Sequence, residues 1–269
     1  MPEGDTIHRS AARLRPALAG AQLQRFEAQR LVGARPRIGE TIDMVEAHGK
    51  HLLMGFSGGL TLETHMRMTG SWHLYRSGER WRKPAHLVRV RIDVPDWVAL
   101  CFTAPIVRTF PTAALGTTRS PLVHLGPDLC LPNPDFDACL ERIEQLEGEG
   151  LVRGATDLAE VLLDQRVGNV IGNVYKSEVC WAERVNPFTP LRQVDRTCRR
   201  ALLGTANRLL MANLGAGQRT TVSGGLAVYG RRGQPCRRCS TPIERRTQGE
   251  LARVTFWCPT CQPAFVGAV

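Results

Sequence analysis

The chain has 269 residues, 43% of them hydrophobic, and a formal net charge of +10 at pH 7. This composition excludes a disordered chain, and the length allows two domains and a small module. The apolar runs are far shorter than the roughly 18 residues of a membrane helix, and no secretory leader opens the sequence, so we expect a cytoplasmic protein without a membrane partner.

The first predicted element is a helix over residues 5–19. Its apolar side chains recur at helical spacing, Asp5 is a candidate cap, and Gly20 suits the end of the helix. Pro16 is expected to weaken the last turn. The apolar positions are Ile7, Ala11, Leu14 and Leu18.

From about residue 40 to residue 110 the apolar period changes to two. Leu60, Leu62, Met66 and Met68 alternate with polar residues, and "SGG" at 57–59 is a plausible hairpin turn. We therefore predict an antiparallel sheet or sandwich, with Met68 in the core on composition alone.

Helices are predicted after the proline-rich connection at 125–135. The first begins with Asn133 as cap, and the others cover about 156–165, 173–183 and 195–211. A glycine-rich loop follows at 214–225. The fold class is α+β and multidomain: an N-terminal helix plus antiparallel β-sandwich at 1–120, a helical domain at 130–225 and a β-hairpin module at 230–264.

Four cysteines near the C-terminus have the spacing C-x2-C-x18-C-x2-C. Four thiolates at this spacing close on one structural zinc ion and leave no open coordination position. Unrelated cysteines, two disulfides and rubredoxin-like iron are the alternatives. The many arginines of this module favour zinc and contact with nucleic acid. The predicted ligands are Cys236, Cys239, Cys258 and Cys261.

Three other stretches carry candidate binding residues. "IGNVYKSE" places Asn173 and Lys176 at the start of a helix, which is an anion site or ordinary capping. "HGKHLLMGF" places Lys50 at the entry to a strand, where a lysine is often only solvated. "THMRMTGSW" places Arg67, Met68 and Thr69 at a strand end.

The opening "MPEGD" places a proline and a carboxylate directly before the first helix. Removal of Met1 leaves Pro2 with a secondary amine, which attacks an electrophilic carbon and gives an iminium ion. The positive end of the helix disfavours the protonated amine, and Glu3 beside it is a candidate acid or base. The alternative is a terminal tail without function.

Taken together, "MPEGDTIH", "GKHLL", "LLDQRVGNVIGNVYKSEVCW" and "CRRC…FWCPTC" resemble the formamidopyrimidine-DNA glycosylase/endonuclease VIII family of DNA repair enzymes, from residue 2 to about 262. The "PEG" opening, with "FTAPIVRTFP" at 102–111 in place of an "RRFG"-type motif, resembles the endonuclease VIII branch. The resemblance implies a helix–two-turn–helix DNA-binding domain, with DNA in the cleft between the halves.

For the active site, the resemblance implies three catalytic residues. Pro2 corresponds to the nucleophile that attacks C1′, Glu3 to the acid/base partner, and Lys50 to the lysine that contacts phosphate near the lesion. The implied enzyme is a bifunctional DNA glycosylase/AP lyase of base excision repair. It removes oxidised bases, pyrimidines above all, and cuts the strand by β,δ-elimination through a Pro2 Schiff base.

For DNA binding, the resemblance implies three groups of contacts. Arg67, Met68 and Thr69 correspond to the wedge that fills the hole left by a flipped base. Asn173, with Lys176 nearby, corresponds to a phosphate clamp, and Arg253 to the zinc-finger arginine. We expect a nucleoid-associated monomer that binds damaged DNA, double- or single-stranded.

Two positions depart from the family pattern, and two other functions stay open. Thr6 replaces a second glutamate, and Val170 replaces the first glycine of a "GxGN" loop. One rival function is a nucleic-acid-binding protein without activity, which has no use for Pro2 and Glu3. The other is a glycosylase whose Schiff-base amine is Lys50.

Overall fold

The computed structural model describes residues 2–215 and 217–264. The chain divides into two compact units, Met1–Val123 and His124–Val269. Within the part that is described, no helix has the length and apolar character needed to cross a membrane.

Unit 1 is a helix and a β-sandwich. The helix α1 spans Gly4–Leu18. The strands are β1 (Arg25–Ala28), β2 (Ile42–His48), β3 (His51–Phe56), β4 (Leu60–His65), β5 (Ser71–Arg76), β6 (Val88–Asp93), β7 (Trp97–Phe102) and β8 (Ile106–Pro111). They form two antiparallel four-stranded sheets, in the orders β1-β6-β7-β5 and β2-β3-β4-β8, which confirms the predicted sandwich.

Helix α1 packs on β2 and β3 through the predicted apolar stripe. Ile7, Ala11, Leu14 and Leu18 are all at most 1% exposed, and burying a large aliphatic side chain contributes about 1.5–3 kcal/mol. The prediction that Asp5 caps this helix was wrong, because the N-cap lies two residues earlier. Glu3 is the N-cap residue, and Asp5 lies inside the first turn, where it pairs with Arg9.

The predicted core position of Met68 was wrong. The alternating pattern stops at His65, where β4 ends, and the next residues form a turn that leads into β5. Met68 is 62% exposed in this turn, whereas Met66 is 1% exposed. An alternating sequence pattern can continue past the end of a strand and so does not show where the strand stops. In a turn no neighbouring strand determines which face a side chain occupies.

In its described residues, 124–215 and 217–264, unit 2 contains four α-helices and a β-hairpin. The helices are α2 (Phe136–Gly148), α3 (Leu158–Leu163), α4 (Asn173–Ala182) and α5 (Arg196–Met211), and the hairpin strands are β9 (Glu244–Gln248) and β10 (Arg253–Trp257). Helix α2 begins two residues later than predicted, because the carboxylate of Asp135 accepts the N–H of Ala138 and so caps the helix.

Within unit 2 the hairpin and the helices pack together. Asn173 Nδ2 donates to the carbonyl of Val254 on β10 at 2.8 Å. Gln248 Nε2 donates to Asp157 at 2.8 Å, next to the start of α3. Trp181 of α4 shares an apolar cluster with Cys236 and Phe256. These contacts support a module that is too small for a core of its own.

Candidate active site and zinc centre

The N-terminal residues are held at the start of α1. Glu3 is wholly buried, and its carbonyl accepts the N–H of Thr6 at 2.9 Å and that of Ile7 at 3.2 Å. Pro2 precedes it and is half-buried. The positive end of the helix lies beside both residues. The described chain therefore begins as an ordered segment with a buried carboxylate next to the proline.

Lys50 and the exposed turn after β4 emerge from the same end of one sheet. Lys50 follows Gly49 in the two-residue turn between β2 and β3, and Gly49 has a φ of 62°. His51 at the start of β3 pairs directly with His65 at the end of β4. Since β4 ends where β3 begins, Lys50 and Arg67 both follow or precede strands at the same end of the sheet.

The turn that carries Arg67, Met68 and Thr69 is closed tightly at Gly70. The Gly70 N–H donates to the carbonyl of Met66 at 2.8 Å, and a Cβ at Gly70 would lie 2.7 Å from backbone atoms of Met66. The Thr103 hydroxyl donates to the carbonyl of Thr69 at 2.8 Å. The exposed side chains therefore stand on a fixed backbone.

A buried ion-pair network lies beside Lys50, and the sequence reasoning missed it. Glu63 is wholly buried and accepts hydrogen bonds from His51 Nδ1 at 2.8 Å and Arg108 Nη2 at 3.0 Å. Burial by itself raises the pKa of Glu63, but the hydrogen bonds from His51 and Arg108 outweigh it and hold that pKa below its ordinary value.

His65 stands next to this network as a neutral imidazole. Its ring lies 4.6 Å from that of His51, centroid to centroid. Burial and the positive charges of His51, Lys50 and Arg67 lower the pKa of His65 to about 4, although Glu63 acts in the opposite direction. Lys50 and Arg67 therefore both disfavour the protonated form of His65.

The predicted phosphate clamp of unit 2 lies largely inside the protein. Asn173 is 6% exposed and Lys176 is 1% exposed. The Asn173 amide nitrogen is used by Val254, while its Oδ1 is buried without a hydrogen-bond partner among the described residues. Val170, in place of the glycine, has a φ of 157°, at the edge of the region that favours glycine. Arg253 is exposed at the start of β10.

The four predicted zinc ligands form one cluster. Their sulfur atoms all lie within 4.8 Å of one another, and three of the pairs are 3.4–3.9 Å apart. A tetrahedron with Zn–S bonds of about 2.3 Å has S–S edges of about 3.8 Å, so the cluster fits one zinc ion. Trp181 Nε1 donates to Cys236 Sγ at 3.4 Å, which stabilises a thiolate there.

Two arginines between the first pair of ligands fix the surroundings of the zinc cluster. Arg237 donates to the carbonyls of Ser223, Gly224 and Leu226 at 2.8–3.1 Å. Arg238 donates to the carbonyl of Trp181 at 3.1 Å and stacks over its ring at 4.0 Å. The zinc knuckle therefore holds a turn of the glycine-rich loop.

Glu178 of α4 holds the two sides of the same turn, which the sequence reasoning also missed. It is 1% exposed and accepts the N–H groups of Ala227, Val228 and Tyr229 at 2.7–2.9 Å, as well as the Thr221 hydroxyl. A glutamate on the buried face of a short helix is the only sequence signal for such a role.

Comparisons with known proteins agree with this architecture. Residues 1–111 match the formamidopyrimidine-DNA glycosylase N-terminal domain, and residues 233–264 match the zinc finger found in FPG and IleRS. "Probable endonuclease 8 2" of Streptomyces coelicolor is 40% identical over 97% of this chain and 94% of that protein. The chain belongs to the formamidopyrimidine-DNA glycosylase/endonuclease VIII family.

Other members of the family extend the match. "Endonuclease 8" of an Escherichia coli strain is 30% identical over 97% of this chain and all of that protein. A structure of MutM in complex with DNA containing carbocyclic 8-oxo-G has a TM-score of 0.80 at 20% identity, over 97% of this chain and all of that chain. At this identity the structure shows a shared fold.

Proposed function

We propose that this chain is a bifunctional DNA glycosylase and AP lyase of base excision repair. The proposal is supported by family membership and, above all, by one observation. Glu3, which the sequence pairs with a nucleophilic Pro2, is wholly buried at the N-terminal end of α1. A binding protein without activity has no need to bury a carboxylate beside Pro2, because moving a charged group out of water is costly.

Pro2 acts as the nucleophile once Met1 has been removed. Its nitrogen forms a bond to C1′, the bond from C1′ to the base breaks, and the base leaves with the electron pair and takes up the proton that the nitrogen loses. Glu3 donates a proton to the sugar ring oxygen as the ring opens, which gives an iminium ion. Loss of the C2′ proton then expels the 3′ phosphate, and loss of the C4′ proton expels the 5′ phosphate in a second elimination.

The other predicted residues bind and orient DNA. Lys50 contacts a phosphate near the lesion, and the turn of Arg67, Met68 and Thr69 fills the gap left by the extruded nucleotide. The 62% exposure of Met68 supports this role, since an apolar side chain held in solvent is available to enter the duplex. Arg253 contacts a phosphate of the DNA backbone. The protein acts as a monomer and is associated with the nucleoid.

Asn173 and Lys176 act on DNA through the N-terminal end of α4. The N-terminal end of a helix is a favourable site for a phosphate. Asn173 contributes by fixing β10, and with it Arg253, against the helix.

Borohydride trapping tests the proposal. Incubation with an oligonucleotide that carries an abasic site should give a covalent adduct, and digestion should place it on Pro2. Pro2→Gly keeps an amine and should be impaired, whereas Glu3→Gln should lose base excision most strongly. A protein whose N-terminus is verifiably blocked should form no adduct. Trapping by the blocked protein would instead make Lys50 the nucleophile.

A further inference from the structure

A polar network covers one face of β5, an edge strand of its sheet. His73 stands between two hydroxyl groups on this strand: Nε2 lies 3.1 Å from Ser71 Oγ, and Nδ1 lies 2.9 Å from Tyr75 Oη. Ser71, His73 and Tyr75 are two residues apart, so they share one face of the strand.

The segment before β6 folds back onto this network. The backbone N–H of Arg82 donates to Tyr75 Oη at 3.1 Å, and Lys83 Nζ donates to Ser71 Oγ at 2.8 Å. Lys83 is one of only three lysines in the chain. These bonds fix two basic residues beside an edge strand.

A cavity of about 190 Å³ lies along β5 at this point. Residues 72–75 form one wall, Arg82 forms another, and Arg13 reaches it from α1. Arg13 and Arg82 are both exposed. A phosphate group occupies well under half of such a volume, so the cavity admits one together with its ester oxygens.

The charges around the cavity are all positive. The pKa of His73 lies below its ordinary value because of burial and because of Lys83, Arg13 and Arg82, with no carboxylate acting against them. None of these three cations forms an ion pair with any residue in 2–215 or 217–264. Elsewhere in unit 1, Arg9, Arg91 and Arg108 are each paired with a buried or half-buried carboxylate.

We propose that this cavity binds a phosphodiester group of the DNA backbone, outside the contacts already assigned to the lesion. Arg13, Arg82 and Lys83 supply the charge, and His73 fixes the hydroxyl groups of Ser71 and Tyr75. A polyanion removes the mutual repulsion of three unpaired cations and releases counterions when it binds.

The position of the cavity suits a backbone contact close to the lesion. His73 is four residues beyond Thr69, the last residue of the proposed wedge, and a strand rises about 3.3 Å per residue. His73 on the cavity wall therefore lies within roughly 13 Å of Thr69, which corresponds to about four base pairs along a duplex. This inference rests on the proposed function, because it requires that the wedge turn meet DNA.

Salt-dependent binding tests the inference on the full chain with an undamaged duplex. Arg13→Ala and Arg82→Ala should each reduce the slope of log K against log salt by about 0.9. Arg13→Lys and Arg82→Lys should restore most of the slope because they keep the charge. Arg37→Ala is the matched control, since Arg37 is an exposed arginine of the same unit that does not line the cavity.

A scan with methylphosphonates identifies the bound group. Replacing one phosphate at a time with a neutral methylphosphonate should weaken DNA binding by the wild-type chain at one position near the wedge. The same replacement should not weaken DNA binding by the Arg82→Ala variant any further. Unchanged slopes in both alanine variants, or no such silent position, would overturn the inference. If the wild-type chain fails to bind any duplex, the proposed function fails as well.

Discussion

Nδ1 of His51 lies 2.8 Å from Oε1 of Glu63. A carboxylate only accepts hydrogen bonds, so Nδ1 carries the proton and Nε2 is the nitrogen left for other contacts. Because His51 follows Lys50 directly and Glu63 is also held by Arg108, the pair connects the lysine turn to three strands of the sheet.

Glu63→Gln should destabilise unit 1 by about 1–3 kcal/mol at neutral pH, because the amide replaces a charge that Arg108 and His51 share. The pKa of Glu63 is lower in the folded chain. Its stabilisation is therefore present above the unfolded value of about 4.5 and is lost as the pH falls through the folded value. Urea unfolding at several pH values measures this.

The control for that experiment is Glu46→Gln, an exposed carboxylate on β2 of the same sheet. It should change the free energy of unfolding by less than about 0.5 kcal/mol. Equal effects of the two substitutions would contradict a special role for Glu63.

The low pKa of His65 should make unit 1 less stable in mild acid. The pKa of His65 is about 4 in the folded chain, whereas its ordinary value is 6.5. Between these values the unfolded chain binds a proton that the folded chain does not, so the free energy of unfolding falls as the pH drops from 7 towards 4. The loss attributable to His65 should be roughly 1–3 kcal/mol.

His65→Asn removes the titrating group and tests this expectation. The difference in unfolding free energy between wild type and variant should shrink as the pH is lowered from 7 to 5. A difference that stays constant over this range would show that His65 titrates normally in the folded protein.

Cys258→Ser should abolish stoichiometric zinc binding and weaken DNA binding sharply, because three thiolates leave the metal site open and the hairpin that carries Arg253 depends on the metal. Metal analysis and equilibrium DNA binding measure the two effects. Cys198→Ser is the control, since this free cysteine is half-buried and lies outside the cluster. Full DNA binding by a zinc-free Cys258→Ser protein would refute the dependence.

Arg237→Ala should loosen the turn at 223–226 and leave the zinc content at one ion per chain. The substitution removes three hydrogen bonds to carbonyls of this turn and none to the cysteine sulfurs. Amide hydrogen exchange should therefore accelerate around the turn. Arg232→Ala, an exposed arginine nearby, should leave exchange there unchanged. If amide exchange at 223–226 is unchanged in Arg237→Ala, Arg237 does not stabilise this turn.

Oxidised pyrimidines should be removed faster than 8-oxoguanine. The "PEG" opening and the absence of an "RRFG"-type motif at 102–111 favour the endonuclease VIII branch, and its curated relatives include proteins named endonuclease 8. Single-turnover excision from a panel of duplexes with one defined lesion each measures the preference. Fastest excision of 8-oxoguanine opposite cytosine would reverse the assignment.

The sequence alone determined the features that depend on near neighbours. The apolar spacing of Ile7, Ala11 and Leu14 predicted α1, because residues three or four apart share one face of a helix. The helix predicted over 195–211 agrees with α5 to within one residue. The cysteine spacing predicted the zinc centre for a similar reason, since each knuckle brings two ligands together locally.

Only the tertiary structure decided which distant side chains meet. One example is the contact among His51, Glu63 and Arg108, which come from three different strands. Their contact depends on the register of these strands, because a shift of one residue would move every side chain of a strand to the other face of the sheet. The burial of Lys176 and the contact of Arg237 with the loop at 223–226 depend in the same way on how elements pack. Composition had placed Met68 in the core, but the end of β4 at His65 left it in solvent, because no neighbouring strand continues to cover it.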